Sequence, residues 1–383
     1  MKLRAGIAML LALAQPLTAQ EVPPAYQPRD ADERGLWLEM DEAERRIAAS
    51  NFVMRDPALN AYVRGVLCRT VGPRCGEVRL YLVRSPYFNA AMAPNGMMHV
   101  WSGLFLRTRD EAQLAAVLAH EFTHYDRQHS LKQFRDMKGK SSAFGFLSVP
   151  LAIVTGGLGA MLGQAALMAT IYGFSREQER DADAGSIALL RSGGYDPHAA
   201  SRIWAQVREE RAATASQRTR KPRGEDAIFG THPTSAERMA TLARLADADG
   251  GVAGELGRER YRAALAPHWA TLIDDQVKLN DFGGTELLLG ELAREGWTGE
   301  LLHARGELYR MRGRPEDLKA AAGFYRQALA GEGAPVEARR GLGLALLRSG
   351  DAAAGRAALN DYLAAAPMAS DRALMAQMAG VAL

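Results

Sequence analysis

Apolar residues recur at helical spacing from Leu36 through Met40 and Ile47, and again at Leu59, Tyr62, Val63 and Val66, which predicts helix across residues 31–66. Residues 77–84, EVRLYLVR, alternate instead and predict a strand. A second strand pair is expected on either side of Pro94-Asn95-Gly96, a strong turn signal. Ala112, Leu114, Ala115, Val117, Leu118 and Ala119 then form a run of good helix formers, with Asp110 placed to cap its start. From about residue 260 onward the pattern is helical throughout. There, GELYRMRG at 306–313 and GLALLRSG at 343–350 align at an offset of 37, and Tyr325 and Tyr362 keep the same offset. A hairpin near 270–295 reads as a degenerate third unit of the same kind. The expected fold is mainly α: an α+β domain with a small β-sheet, then an all-α array of helical repeats.

One stretch breaks the amphipathic pattern. Residues 141–175 hold no charged residue, yet carry Pro150 and glycines at 145, 156, 157, 159 and 163. Two helices of about 16 residues would each reach only about 24 Å, short of a hydrocarbon core of roughly 30 Å. The reading is a helical hairpin broken near Thr155-Gly156-Gly157, either buried in protein or dipping into a membrane surface as a peripheral contact.

At 383 residues the chain is long enough for two domains. Its formal charge is +3, and removing Lys2 and Arg4 with a leader leaves +1, so composition points to no nucleic-acid partner. The basic cluster RTRKPRG at 218–224 reads as a solvated loop. The first 19 residues have a basic start, an apolar run from Ala5 to Ala14 and a small residue, Ala19, for cleavage, which predicts a signal peptide and export. The only two cysteines, Cys68 and Cys75, flank a short loop; in an oxidising compartment they pair as a disulfide, the rival being half a metal site with no cysteines to complete it.

The chemistry is concentrated in HEFTH. His120 and His124, at i and i+4, share one face of a helix and can offer two imidazole nitrogens to one zinc ion, with Glu121 beside them as candidate general base. A catalytic zinc takes a third protein ligand and keeps an open position. SREQERDADAG, residues 175–185, supplies the candidate: Glu179 as ligand, with Asp183 one turn on to accept a hydrogen bond from a zinc histidine. His232 opens HPTSAER, where Pro233 and Thr234 suggest a helix entry. It suits an oxyanion donor, a resting-state ligand in the open position, or a helix cap. The other histidines, among them His99, His129 and His303, read as packed or surface residues.

Taken together, HEFTH, SREQERDAD, FGTHPTSAER (229–238) and FNAAMAPNGMMHVWSGLF (88–105) resemble the gluzincin metallopeptidases of the HtpX and BepA clan, in particular the BepA-type periplasmic proteases. The likeness covers residues from about 35 to 245, and more loosely the C-terminal third, whose small residues and inter-helix glycines are similar to tetratricopeptide repeats. It implies His120, His124 and Glu179 as ligands of one Zn2+ per chain, Glu121 as catalytic base, Asp183 behind the ligands, and His232 and Arg238 as catalytic residues near the metal. It implies a domain order of signal peptide (1–19), zinc metallopeptidase (20–255) and tetratricopeptide-like repeats (256–383). The small sheet reads either as scaffold or as an edge that pairs with an extended substrate, and the resemblance implies that the segment around Asn89 to Met92 would be that edge. The implied work is degradation of unfolded or misassembled envelope proteins in the periplasm, near the outer-membrane assembly machinery. The alternative is a gated periplasmic chaperone or adaptor in which binding by the repeats dominates.

Overall fold

A computed structural model of the chain describes residues 26–140, 173–217, 236–248 and 253–381. Among the described residues the protein is mainly helical with one three-stranded sheet, as the pattern predicts. The expected signal peptide, His232, RTRKPRG and all of the apolar stretch but its last three residues lie outside the described residues. No helix among the described residues is long and apolar enough to cross a membrane.

The helical pattern over 31–66 resolves into two helices, α1 (Ala31–Ala49) and α2 (Pro57–Val71). The break is chemical. Asp56 caps α2 through the Leu59 amide, and Pro57 occupies a first-turn position that needs no amide hydrogen. Cys68 at the end of α2 is joined to Cys75 in a disulfide, as expected.

β1 (Arg79–Val83), β2 (Ala90–Met92) and β3 (Met97–Trp101) form a sheet in the order β1-β3-β2. β1 runs parallel to β3, and the turn at Asn95-Gly96 folds β2 antiparallel onto it. One sheet face, with Leu82, Met98, Val100 and Met92, enters the main core. The other, with Ala91 and Met97, packs against Leu36 and Met40 of α1 and against Leu131, Phe134 and Phe174.

Among the described residues the sheet is followed by α3 (Ser102–Arg107), α4 (Glu111–Asp126), α5 (His129–Lys140) and α6 (Arg176–Ser192). α4 carries HEFTH and is buried along nearly its whole length. Asp110 caps it as expected, accepting from the Gln113 amide at 2.9 Å. Its first turn is anchored by Glu111, a buried carboxylate that accepts from Tyr62 (2.9 Å), Tyr195 (2.8 Å) and Arg260 (2.7 Å). α7 (Ala199–Gln217) and α8 (Ala236–Asp247) pack beside α4 and α6.

The C-terminal helices are α9 (Arg258–Leu265), α10 (Trp269–Lys278), α11 (Phe282–Leu292), α12 (Gly299–Arg312), α13 (Pro315–Ala330), α14 (Glu337–Arg348), α15 (Ala352–Ala365) and α16 (Arg372–Ala379). α10–α11, α12–α13 and α14–α15 are successive helical hairpins, each stacked on the next. Tyr325, fully buried, is wedged between Gly306 of α12 and Gly341 of α14. The main core runs without interruption from Leu59 through α4 to Tyr261, Leu272, Leu288 and Leu308. The first C-terminal helices therefore share the hydrophobic core of the HEFTH helix.

Candidate metal centre

Two local devices and one close approach assemble the centre. The i, i+4 spacing on α4 sets His120 and His124 one turn apart, with their Nε2 atoms 3.2 Å from each other. α6 is started by a capping box, in which the Ser175 hydroxyl accepts from the Gln178 amide and the Gln178 side chain accepts from the Ser175 amide. α6 then crosses α4 where Gly185 meets Thr123. A Cβ on residue 185 would lie 2.4 Å from Thr123 Cγ2, so only glycine permits this approach. It carries Glu179 Oε2 to 3.6 Å from His120 Nε2 and Glu179 Oε1 to 3.6 Å from His124 Nε2.

The three side chains are buried, and one donor atom from each lies within 4.8 Å of the others. Two imidazole nitrogens and a carboxylate oxygen are the donor set of a catalytic zinc site. Bonds of about 2.0–2.1 Å in a tetrahedron place neighbouring donors roughly 3.3 Å apart, close to the 3.2 Å between the imidazole nitrogens and the 3.6 Å from each to its nearer Glu179 oxygen. The residues present thus fit the ion in both chemistry and spacing. Glu121 is buried beside them in the same helix.

Behind the donors lies a charged lattice. Asp183 Oδ1 is 3.1 Å from His120 Nδ1, the contact expected of it. Arg238, on α8, grips both Asp183 oxygens, through Nε at 2.8 Å and Nη2 at 2.7 Å, and its Nη1 lies 3.1 Å from Glu179 Oε2. The guanidinium lies over the Trp204 ring at 4.3 Å, and the same ring stands edge-on to His120. Burial raises the Asp183 carboxyl, but His120 and Arg238 outweigh it and hold the group below the usual carboxylate range. Burial and the Arg238 charge push the His120 imidazole down, yet its bonds to Asp183 and Glu179 prevail and lift it to about 9. The field that draws a proton to His120 is the field that favours a cation at the same atoms.

Sequence reasoning placed His120, Glu121, His124, Glu179, Asp183 and Arg238 in one neighbourhood, and the structure brings those six together. It also adds residues that sequence reasoning missed. His129, read as an ordinary packed histidine, puts its Nδ1 at 3.0 Å from His124 Nδ1 and its Nε2 at 3.2 Å from Asp181. The chain turns back at Gln128, which adopts a left-handed conformation (φ 56°), and this reversal brings His129 onto the metal helix. Phe174 stacks on His124 with ring centroids 3.7 Å apart. The available signals were weak: a third histidine five residues beyond the motif, and an Asp181–Asp183 pair alternating on α6.

Residues 73–246 match the model of Peptidase family M48. A beta-barrel assembly-enhancing protease of Escherichia coli strain K12 is 26% identical over 206 residues, 51% of this chain and 40% of that protein. The protein of that name from Yersinia pestis is 27% identical over the same shares. The mitochondrial metalloendopeptidase OMA1 of Schizosaccharomyces pombe is 31% identical over 184 residues, 47% of this chain and 51% of that protein. The chain spans about two fifths of the length of the bacterial relatives it matches and about half of the yeast one.

Proposed function

We propose that this chain, which carries a Peptidase family M48 domain over residues 73–246, is a zinc-dependent endopeptidase of the bacterial periplasm acting on misfolded or misassembled envelope proteins. The observation that carries the reading is the convergence of His120, His124 and Glu179 from two helices on one buried point, with Glu121 alongside. His120, His124 and Glu179 would hold the zinc. When bound, the ion would supply a Lewis acid to acidify water and polarise a peptide carbonyl.

The chain's own groups do the rest. The Glu121 carboxylate accepts the proton of the attacking water and returns it to the leaving amine. Asp183 accepts from His120 Nδ1–H, which keeps the lone pair on Nε2, and Arg238 fixes the Asp183 carboxylate from behind. The alternation of β2 against β3 turns the backbone groups of Asn89, Ala91 and Ala93 toward β3 and those of Ala90 and Met92 away from it. Among the described residues nothing pairs with that edge, and Met92 shares a small cavity with His124. An extended substrate strand is bound there by backbone pairing. Periplasmic location and an envelope substrate are supported by the predicted leader and by the beta-barrel assembly-enhancing proteases among the bacterial relatives.

The stacked hairpins of residues 299–365 favour a second reading, a chaperone or adaptor in which protein binding dominates. One experiment separates the two. Purified protein should contain one zinc per chain and cleave casein, while Glu121→Gln should keep the zinc and lose the cleavage. Equal cleavage by wild type and variant sinks the mechanism, and zinc binding with no cleavage by either favours the adaptor.

A further inference from the structure

His124 and His120 are held from behind by different means. His120 has the Asp183 carboxylate at its Nδ1, the arrangement the sequence suggested. At His124 Nδ1 the neighbour is a second imidazole, His129 Nδ1, at 3.0 Å. His129 is itself buried, and its far nitrogen, Nε2, lies 3.2 Å from Oδ2 of the half-exposed Asp181. Its backbone carbonyl accepts from the Gln178 side chain at 3.3 Å, which ties the ring's position to the first turn of α6, and Phe174 packs on both imidazoles.

Proton bookkeeping gives this chain of rings one direction. His124 Nε2 is the atom that lies 3.2 Å from His120 Nε2 and 3.6 Å from Glu179. For that nitrogen to offer a lone pair, the His124 proton must sit on Nδ1. The Nδ1 of His129 must then accept, which puts the His129 proton on Nε2, facing the carboxylate of Asp181. The opposite direction would place a hydrogen on His124 Nε2 and abolish its donor capacity. The contact distances thus admit a single arrangement compatible with metal ligation: His124 Nδ1–H to His129 Nδ1, and His129 Nε2–H to Asp181 Oδ2.

We infer that His129, backed by Asp181, is a positioning residue that selects the tautomer and ring orientation of His124 for zinc. The inference rests on the zinc reading of the site. It differs from the support of His120, because here an imidazole and not a carboxylate receives the ligand's proton, and a solvent-reaching carboxylate completes the line.

The test measures zinc affinity of the full chain by competition with a fluorescent chelator, alongside the visible spectrum of the cobalt-substituted protein. His129→Leu removes the acceptor and should weaken zinc binding about 10- to 100-fold, with altered cobalt bands. His129→Asn can put its amide oxygen where Nδ1 stood and should stay within about threefold of wild type, as expected for an outer hydrogen-bond partner. Asp181→Ala, at a more exposed position, should lose several-fold in affinity with its fold intact, and it carries the test if His129→Leu does not fold. Unchanged affinity and spectrum in His129→Leu, equal losses in the Leu and Asn variants, or wild-type affinity in Asp181→Ala would each overturn the assignment. Failure of the parent reading looks different: wild-type protein that takes up no zinc, or His124→Ala protein that keeps it.

Discussion

The contact between Gly185 and Thr123 sets how closely the ligand-bearing helices α4 and α6 approach, and Gly185→Ala tests its importance. The new methyl would sit 2.4 Å from Thr123 Cγ2 and 2.8 Å from Thr123 Oγ1. Restoring ordinary contact at about 3.5 Å needs roughly 1 Å of movement. Thr123 cannot readily rotate away, because it is β-branched and its hydroxyl is bonded to the Ala119 carbonyl at 2.8 Å. Overpacking of this kind costs about 1–3 kcal/mol, against about 0.8–1 kcal/mol gained from replacing glycine by alanine in a helix. The net expectation is a loss of roughly 0–2 kcal/mol in metal-free stability. Zinc affinity should suffer more, since a metal constellation tolerates only about 0.5 Å of displacement and Glu179 rides on the helix that moves. A fall of about 10-fold or more is expected. Thr123→Ala on the same chain vacates the space the new methyl needs, so the double variant should recover most of the lost affinity. Urea unfolding of the metal-free proteins and chelator competition for zinc provide the four corners of the cycle. A Gly185→Ala protein stabilised by about 1 kcal/mol, the helix-propensity gain alone, with wild-type zinc affinity, would refute the packing argument. So would a double variant whose losses simply add.

The remaining predictions probe the electrostatics, the sheet edge and the repeats. His120 is lifted to about 9 in the metal-free protein, above the roughly 6.5 of an unfolded chain, so the stability it contributes is complete below about pH 6.5 and is lost as pH rises through about 9. The urea midpoint of metal-free protein should therefore fall across that window, and His120→Gln should flatten the fall; an unchanged slope contradicts the assignment. Ala90→Pro deletes an outward amide of the β2 edge while leaving its bonds to β3, so it should raise KM for an unfolded substrate with zinc content intact, and an unaltered KM argues against strand pairing there. Gly341→Ala would put a methyl 2.4 Å from Cζ of the buried Tyr325, whose hydroxyl donates to Glu307 at 2.6 Å. Allowing for the helix-propensity gain, it should destabilise the hairpin stack by roughly 0–2 kcal/mol, and a raised thermal midpoint would show that the stack has slack.

Much of this protein was legible from local pattern because the relevant forces are local. The i, i+4 histidines, the Asp110 cap, the turn at Asn95-Gly96 and the 37-residue recurrence of glycine and tyrosine each follow from backbone periodicity or from hydrogen bonds spanning a few residues. Even the separation of α1 from α2, missed by counting apolar residues alone, is written locally in Asp56-Pro57. The pairing of Glu179 with His120 and His124 is another matter. It joins positions 55 or more residues apart, and the spacing of 175–185 shows only that an acidic pair shares a helix face. What settles which face meets the metal helix is the Gly185–Thr123 approach, a fit between two surfaces that no single helix encodes. The same holds for the lattice behind the ligands. Arg238 over Trp204, Phe174 on His124, and the line from His124 through His129 to Asp181 exist because buried polar groups must find partners once packing has brought them together. Periodicity tells a residue which way to face along its own element; only the packed interior decides what it faces.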